Sequence, residues 1–119
     1  MKNRLKQIGI VLAMVVAMLI GLNLWLIDGI NGLFWGSLFK EDTVYAVAYT
    51  DSGWRAVRIG MAEDDVRRLI GQPLQVWTNE DATVSMGWSR SPGDTHYRCR
   101  ALEFSKGRVA AKYAEFYVD

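Results

Sequence analysis

The chain has 119 residues, half of them apolar, and a formal net charge of +1. That length fits one small domain with an appendage. Lys2, Arg4 and Lys6 precede a long apolar run, and the rest of the chain carries 11 basic against 13 acidic residues, so no basic footprint for nucleic acid is present. One cysteine, Cys99, excludes an intramolecular disulfide.

Residues 8–27, IGIVLAMVVAMLIGLNLWLI, contain no charge. As a helix they span about 30 Å, the hydrocarbon thickness of a bilayer. Asn23 is the one strongly polar member, and Trp25 lies near the exit, where an interfacial aromatic belongs. The basic tip, residues 1–7, predicts a cytoplasmic N-terminus and an extracytoplasmic remainder, hence a single-pass protein of the inner (cytoplasmic) membrane. The competing assignment is a cleaved signal peptide. The apolar run exceeds the usual h-region, however, and it exits through Leu26, Ile27 and Asp28 without a small-x-small site. An uncleaved anchor is expected.

Residues 28–42 read as an interfacial connector. Gly29, Gly32 and Gly36 interrupt it, while Leu33, Phe34, Trp35, Leu38 and Phe39 suit a short helix in the headgroup region, an extension of the anchor, or a segment packed on the domain. Residues 43–119 are expected to form the folded domain. TVYAVAYT, residues 43–50, has strand composition, and Asp51-Ser52-Gly53 reads as a turn. Residues 54–59 then return as a second strand or cross as a loop.

GMAEDDVRRLIGQP, residues 60–73, predicts one bounded helix. Glu63, Asp64 and Asp65 complement the positive end of its dipole, and Arg67 and Arg68 lie toward the other. Gly71 suits the C′ position, and Pro73 forbids continuation. Ala62, Val66, Leu69 and Ile70 make an apolar stripe that must dock on a sheet. The strands of that sheet follow at residues 74–78, 83–89, 95–104 and 108–118, with turns at Asn79-Glu80-Asp81, Ser91-Pro92-Gly93-Asp94 and Ser105-Lys106-Gly107. Links this short demand antiparallel neighbours. The fold class is therefore α+β: a short helix on a three- to four-stranded antiparallel meander, preceded by one transmembrane helix. In the 95–104 strand Leu102 and Phe104 share a face with Arg98 and Arg100, a mismatch that a bulge near Arg100 or Ala101, or a sheet covered on both faces, reconciles.

The helix motif, Trp88-Ser89, Leu102-Glu103-Phe104 and Lys106-Gly107-Arg108-Val109 together resemble the SmpA/OmlA (BamE-like) family over roughly residues 59–118. The resemblance implies a helix against an antiparallel sheet, as in β-lactamase-inhibitor proteins, and a role in outer-membrane or envelope assembly. Ala62 stands where the family often has Ser or Thr, and an apolar anchor replaces the lipid-accepting Cys, which implies a relative by fold.

Candidate chemistry is sparse. Consecutive helical carboxylates at positions 63–65 diverge by about 100° each and do not converge on one ion. His96, the single histidine, is expected to face solvent beside a turn, and Cys99 to be inert, with Arg98 and Arg100 on the opposite strand face. No cofactor, metal or small-molecule ligand is implied, and no enzyme. Aromatic and arginine residues are the interface candidates, since Trp, Tyr and Arg dominate binding hot spots. Most of Trp54, Trp77, Trp88, Tyr97, Tyr113 and Tyr117 are expected to fill the core between helix and sheet. Two or three exposed on one face beside Arg98 and Arg100 would form a binding patch, and Trp88, Tyr97, Arg98 and Arg100 are the protein-binding candidates. The function expected is a membrane-anchored module that binds an envelope protein; the alternative is an inhibitor or sensor domain acting on an envelope enzyme through the loop at residues 91–96.

Overall fold

A computed structural model of the chain describes residues 2–118. Helix α1 (Lys2–Trp25) is long and apolar enough to cross a membrane, and none of its residues is buried within the protein. Helix α2 (Gly29–Leu38) follows after a three-residue bend. Next come strand β1 (Val44–Tyr45), helix α3 (Asp51–Ala56) and helix α4 (Glu63–Ile70). Strands β2 (Gln75–Thr78), β3 (Val84–Gly87), β4 (Ser89–Arg90), β5 (Tyr97–Ser105) and β6 (Arg108–Tyr117) complete the domain.

The architecture is α+β, with an antiparallel meander β2-β3-β5-β6 and a separate two-stranded ladder β1-β4. The segments on either side of Pro92 run alongside each other as expected. Trp88 donates its backbone N–H to Arg100 O at 2.8 Å, and Ser89 Oγ then takes over the ladder by bonding Arg98 O and Arg100 N. There the chain peels away from β5, which splits the single strand expected at residues 83–89 into β3 and β4.

Residues 43–50 depart further from expectation. Only Val44 and Tyr45 form a strand, and they pair with Arg90 and Ser89, not with a hairpin partner at residues 54–59. The reason is local: Thr50 is a helix N-cap whose hydroxyl accepts from Gly53 N at 3.0 Å, so Asp51-Ser52-Gly53 opens a helix where a turn was expected. Helix α3 then delivers Trp54 into the core, 1 % exposed.

Helix α4 has the bounds its sequence predicts. With Ala62 at the N-cap, the orphan N–H of Glu63 is satisfied instead by Gly107 O in the β5–β6 turn, at 3.0 Å. Gly60 N and Val109 N bond Val109 O and Met61 O, so the helix entrance is bridged to β6. At the other end Gly71 has φ 74°, and its N–H reaches Arg67 O at 2.8 Å. Val66 and Ile70 are fully buried against Met86, Trp88, Leu102, Phe104 and Val109, with Trp54, Val57 and Ala46 completing the core.

The irregularity expected near Arg100 or Ala101 lies elsewhere. Glu103 pairs with Ala111 and Phe104 with Val109, which leaves Ala110 on β6 as the extra residue. Strand β5 therefore keeps strict alternation through Arg98, Arg100, Leu102 and Phe104, and the two arginines lie on the core side of the sheet.

Candidate functional site: a carboxylate clasp and an open sheet face

Two features stand out, on opposite faces of the sheet. On the core side Arg100 is 2 % exposed, and a cation so placed needs a partner. Its partner is Asp28, in the bend between α1 and α2. Arg100 donates Nη1 and Nη2 to the two carboxylate oxygens at 2.6 and 2.8 Å, the forked geometry that favours arginine over lysine. Arg98 adds a third bond, Nη1 to Asp28 Oδ2 at 2.8 Å.

Both Nε donors are used as well. Arg100 Nε donates to Tyr49 Oη at 2.8 Å, and that hydroxyl donates onward to Asp51 at 2.9 Å. Arg98 Nε reaches Glu41 at 3.1 Å, and its guanidinium lies 5.4 Å from the Phe116 ring. No buried side-chain polar atom lacks a partner among the described residues. Burial disfavours the charged Asp28 carboxylate, but hydrogen bonds and attraction from Arg100 and Arg98 outweigh it and hold its pKa below the usual carboxylate range. Arg100 shows the same contest: burial works against the cation, while Asp28 and Tyr49 secure it. A cavity of about 230 Å³ opens beside the clasp, with Ile27, Tyr45, Asp51 and Arg55 in its wall.

The second feature is the outer face of the meander. Cross-strand pairing aligns Gln75, Gly87, Ala101 and Tyr113 in one row and Trp77, Ser85, Glu103 and Ala111 in the next. Tyr97 pairs with Tyr117 at the far end, their rings 5.7 Å apart. Trp77, Tyr113 and Tyr117 are 45 to 48 % exposed, an unusual degree for three large aromatics on one sheet. The Trp77 ring leans toward Gly87, where a Cβ would meet it at 3.8 Å. The small residues Gly87 and Ala101 lie between Trp77 and Tyr113 across the strands. Burial, and then the neighbouring Cys99, push the Tyr97 hydroxyl up to about 12, so it is a neutral hydrogen-bonding group at physiological pH.

The four expected binding residues divide between these features. Trp88 is fully buried and donates Nε1 to Gly71 O at 3.0 Å, so it is a core residue. Arg100 is equally inaccessible and Arg98 is engaged by Asp28 and Glu41; both are corrected from partner-binding residues to parts of the clasp. Tyr97 remains on the open face. The exposed aromatics therefore lie on the side of the sheet opposite the arginines, not beside them. His96 is corrected too: it is half-buried, its ring 4.6 Å from that of Phe39. Cys99 is half-buried on the outer face, and burial raises its thiol pKa. The loop at residues 91–96 is tethered to Asp42, which accepts from Ser91 Oγ at 2.5 Å and Gly93 N at 2.8 Å.

Asp28 carried a usable sequence signal. Two arginines in phase with Leu102 and Phe104 require a buried anion, and Asp28 is the first acid of the chain. No family model matches this chain, and no curated protein matches it in sequence.

Proposed function

We propose that this chain is a membrane-tethered protein-binding module, with the outer face of its meander as the binding surface and a fold akin to the SmpA/OmlA proteins. The exposed aromatics Trp77, Tyr113 and Tyr117 on this one face, with Tyr97 paired to Tyr117, carry this reading. Rigid aromatics supply large contact area at small entropic cost, and they dominate binding hot spots. The N-terminal helix serves as a retained anchor with its basic tip in the cytoplasm, so the domain stands at the outer side of the inner membrane. Tethering confines domain and partner to one surface and raises their effective concentration.

Asp28 supports retention of the anchor. Cleavage after it would remove the carboxylate that neutralises a buried arginine, and breaking such a pair costs about 3–5 kcal/mol. In this reading the domain acts by surface complementarity, without chemistry of its own.

Site-specific photo-crosslinking in intact membranes tests the proposal. A photoreactive amino acid at Trp77 or Tyr113 is expected to capture a discrete envelope protein, whereas one at Lys106, in the β5–β6 turn, captures none. Trp77→Ala should weaken that capture at least tenfold while the domain still folds, as circular dichroism reads it, because a truncated hot spot costs about 2 kcal/mol. Equal labelling from Lys106 and Trp77, or none from the outer face of a folded protein, would refute it.

A further inference from the structure

The outward side of α2 is left exposed by the described residues, yet its position relative to the anchor is fixed. Only Leu26, Ile27 and Asp28 separate the two helices. That bend is bonded throughout: Leu26 N to Leu22 O, Gly29 N to Leu26 O, and Ile30 N to the Asn23 side-chain oxygen at 2.9 Å. The inner side of α2 is equally settled. Gly32 and Gly36 face the sheet, where a Cβ on Gly36 would meet Arg98 Nη2 at 2.6 Å and Phe116 at 3.8 Å. The guanidinium of Arg98 lies across this glycine strip. It binds Asp28 just before the helix and Glu41 just after it, which pins both ends.

What remains exposed is mainly apolar, with Asn31 and Ser37 the exposed polar side chains and the Ser37 hydroxyl donating back to Phe34 O. Leu33 is 58 %, Phe34 54 % and Leu38 61 % exposed, and the ten residues of α2 include no charge. Nearby, Trp25 is exposed under the guanidinium of Arg55, 5.1 Å from its ring, a pairing suited to the headgroup level.

We infer that the outward side of α2 is seated in the headgroup–acyl boundary of the bilayer that α1 enters, with Phe34 and Leu38 among the lipids. The inference rests on the anchor reading for α1 and adds a second, lateral contact. Water-facing, these side chains would form an apolar patch within one bend of a lipid surface; lipid-facing, each gains from burial. A short apolar helix binds bilayers weakly by itself, but a covalent neighbour already in the membrane removes most of the association cost. The clasp then sets the tilt of the domain on the membrane, because Asp28 and Glu41 tie the ends of α2 to the arginines of β5 while the helix lies against β6.

The test uses the full chain in phosphatidylethanolamine/phosphatidylglycerol vesicles, with Cys99→Ser as background. Nitroxide labels go on Phe34→Cys, Leu38→Cys, Val15→Cys in mid-α1, and Ala110→Cys on the exposed bulge. Collision with oxygen reports lipid, and collision with a nickel chelate reports water. Labels at 34 and 38 are expected to shift toward oxygen, as at 15, while the label at 110 favours the chelate. Chelate access at 34 and 38 with a lipid-facing 15 overturns this inference and leaves the anchor standing. Water at all three overturns both. Protection of 34 and 38 from both reagents means that protein covers α2, whether another copy or a partner, and equally overturns it. Lipid at 34 and 38 with water at 15 supports surface seating and removes the span.

Discussion

Asp28 joins two parts of the chain through one carboxylate, whose side chain is 6 % exposed between two guanidinium groups. Its energetic weight lies in what its removal would leave behind. Asp28→Asn keeps the shape but leaves Arg100 a buried cation without a counter-charge, and a loss of about 3 kcal/mol is expected by denaturant titration. Ionisation offers a second check. The folded-state pKa is depressed, so the contribution is complete at neutral pH and is lost as pH falls below about 4, through the folded value. Asp42 and Asp81 are also depressed, mainly by hydrogen bonds from Ser91 and Thr83, and they act in the same window. The diagnostic is therefore the difference between wild type and Asp28→Asn. It should be constant above about pH 4 and shrink only as pH falls further, through the depressed folded value. A difference that already shrinks between about pH 7 and pH 5 would assign Asp28 a role other than this charge.

Element boundaries rest on backbone chemistry, and Gly71 is the sharpest case. It ends α4 at φ 74°, and a Cβ there would lie 2.5 Å from the Ala48 Cβ. Gly71→Ala combines positive-φ strain with a clash against the Ala48 Cβ, so a loss of about 2 kcal/mol is expected in thermal melts. Gly60→Ala is the useful comparison, because it has a similar positive φ but open space at the Cβ, and should cost less. The α4 boundaries were legible in the sequence because caps, charges and apolar spacing agree there. Residues 43–59 were not, since Thr50 followed by small polar residues is equally a turn and a helix start, and β-branched content alone does not provide a partner strand. The core arginines were half legible. Alternation placed them with Leu102 and Phe104, but the matching carboxylate lies some seventy residues away, across the anchor boundary. The open aromatic face was hidden for another reason: composition counts tryptophans and tyrosines without saying which side of a sheet remains uncovered.

At the scale of the whole molecule, the boundary between anchor and domain falls inside the folded unit. Ile27 packs on the core, Asp28 neutralises Arg100, and α2 lies against β6, so the domain's structure begins near Leu26 and not at the end of the connector. Two fragments separate these alternatives. One spanning residues 26–119 retains Asp28, α2 and Glu41; one spanning residues 43–119 loses all three and leaves both arginines without their carboxylates. The longer fragment should unfold cooperatively, and the shorter should be less stable by at least about 3 kcal/mol. Part of that deficit comes from lost packing and part from the orphaned charge, and Arg100→Met distinguishes them. In the shorter fragment the substitution removes an unpaired buried cation and should raise stability. In the longer one it strands Asp28 and should lower it. Opposite signs in the two backgrounds would show that anchor and sheet are coupled through this one ion pair. A shorter fragment as stable as the longer would instead make residues 26–42 a passive connector.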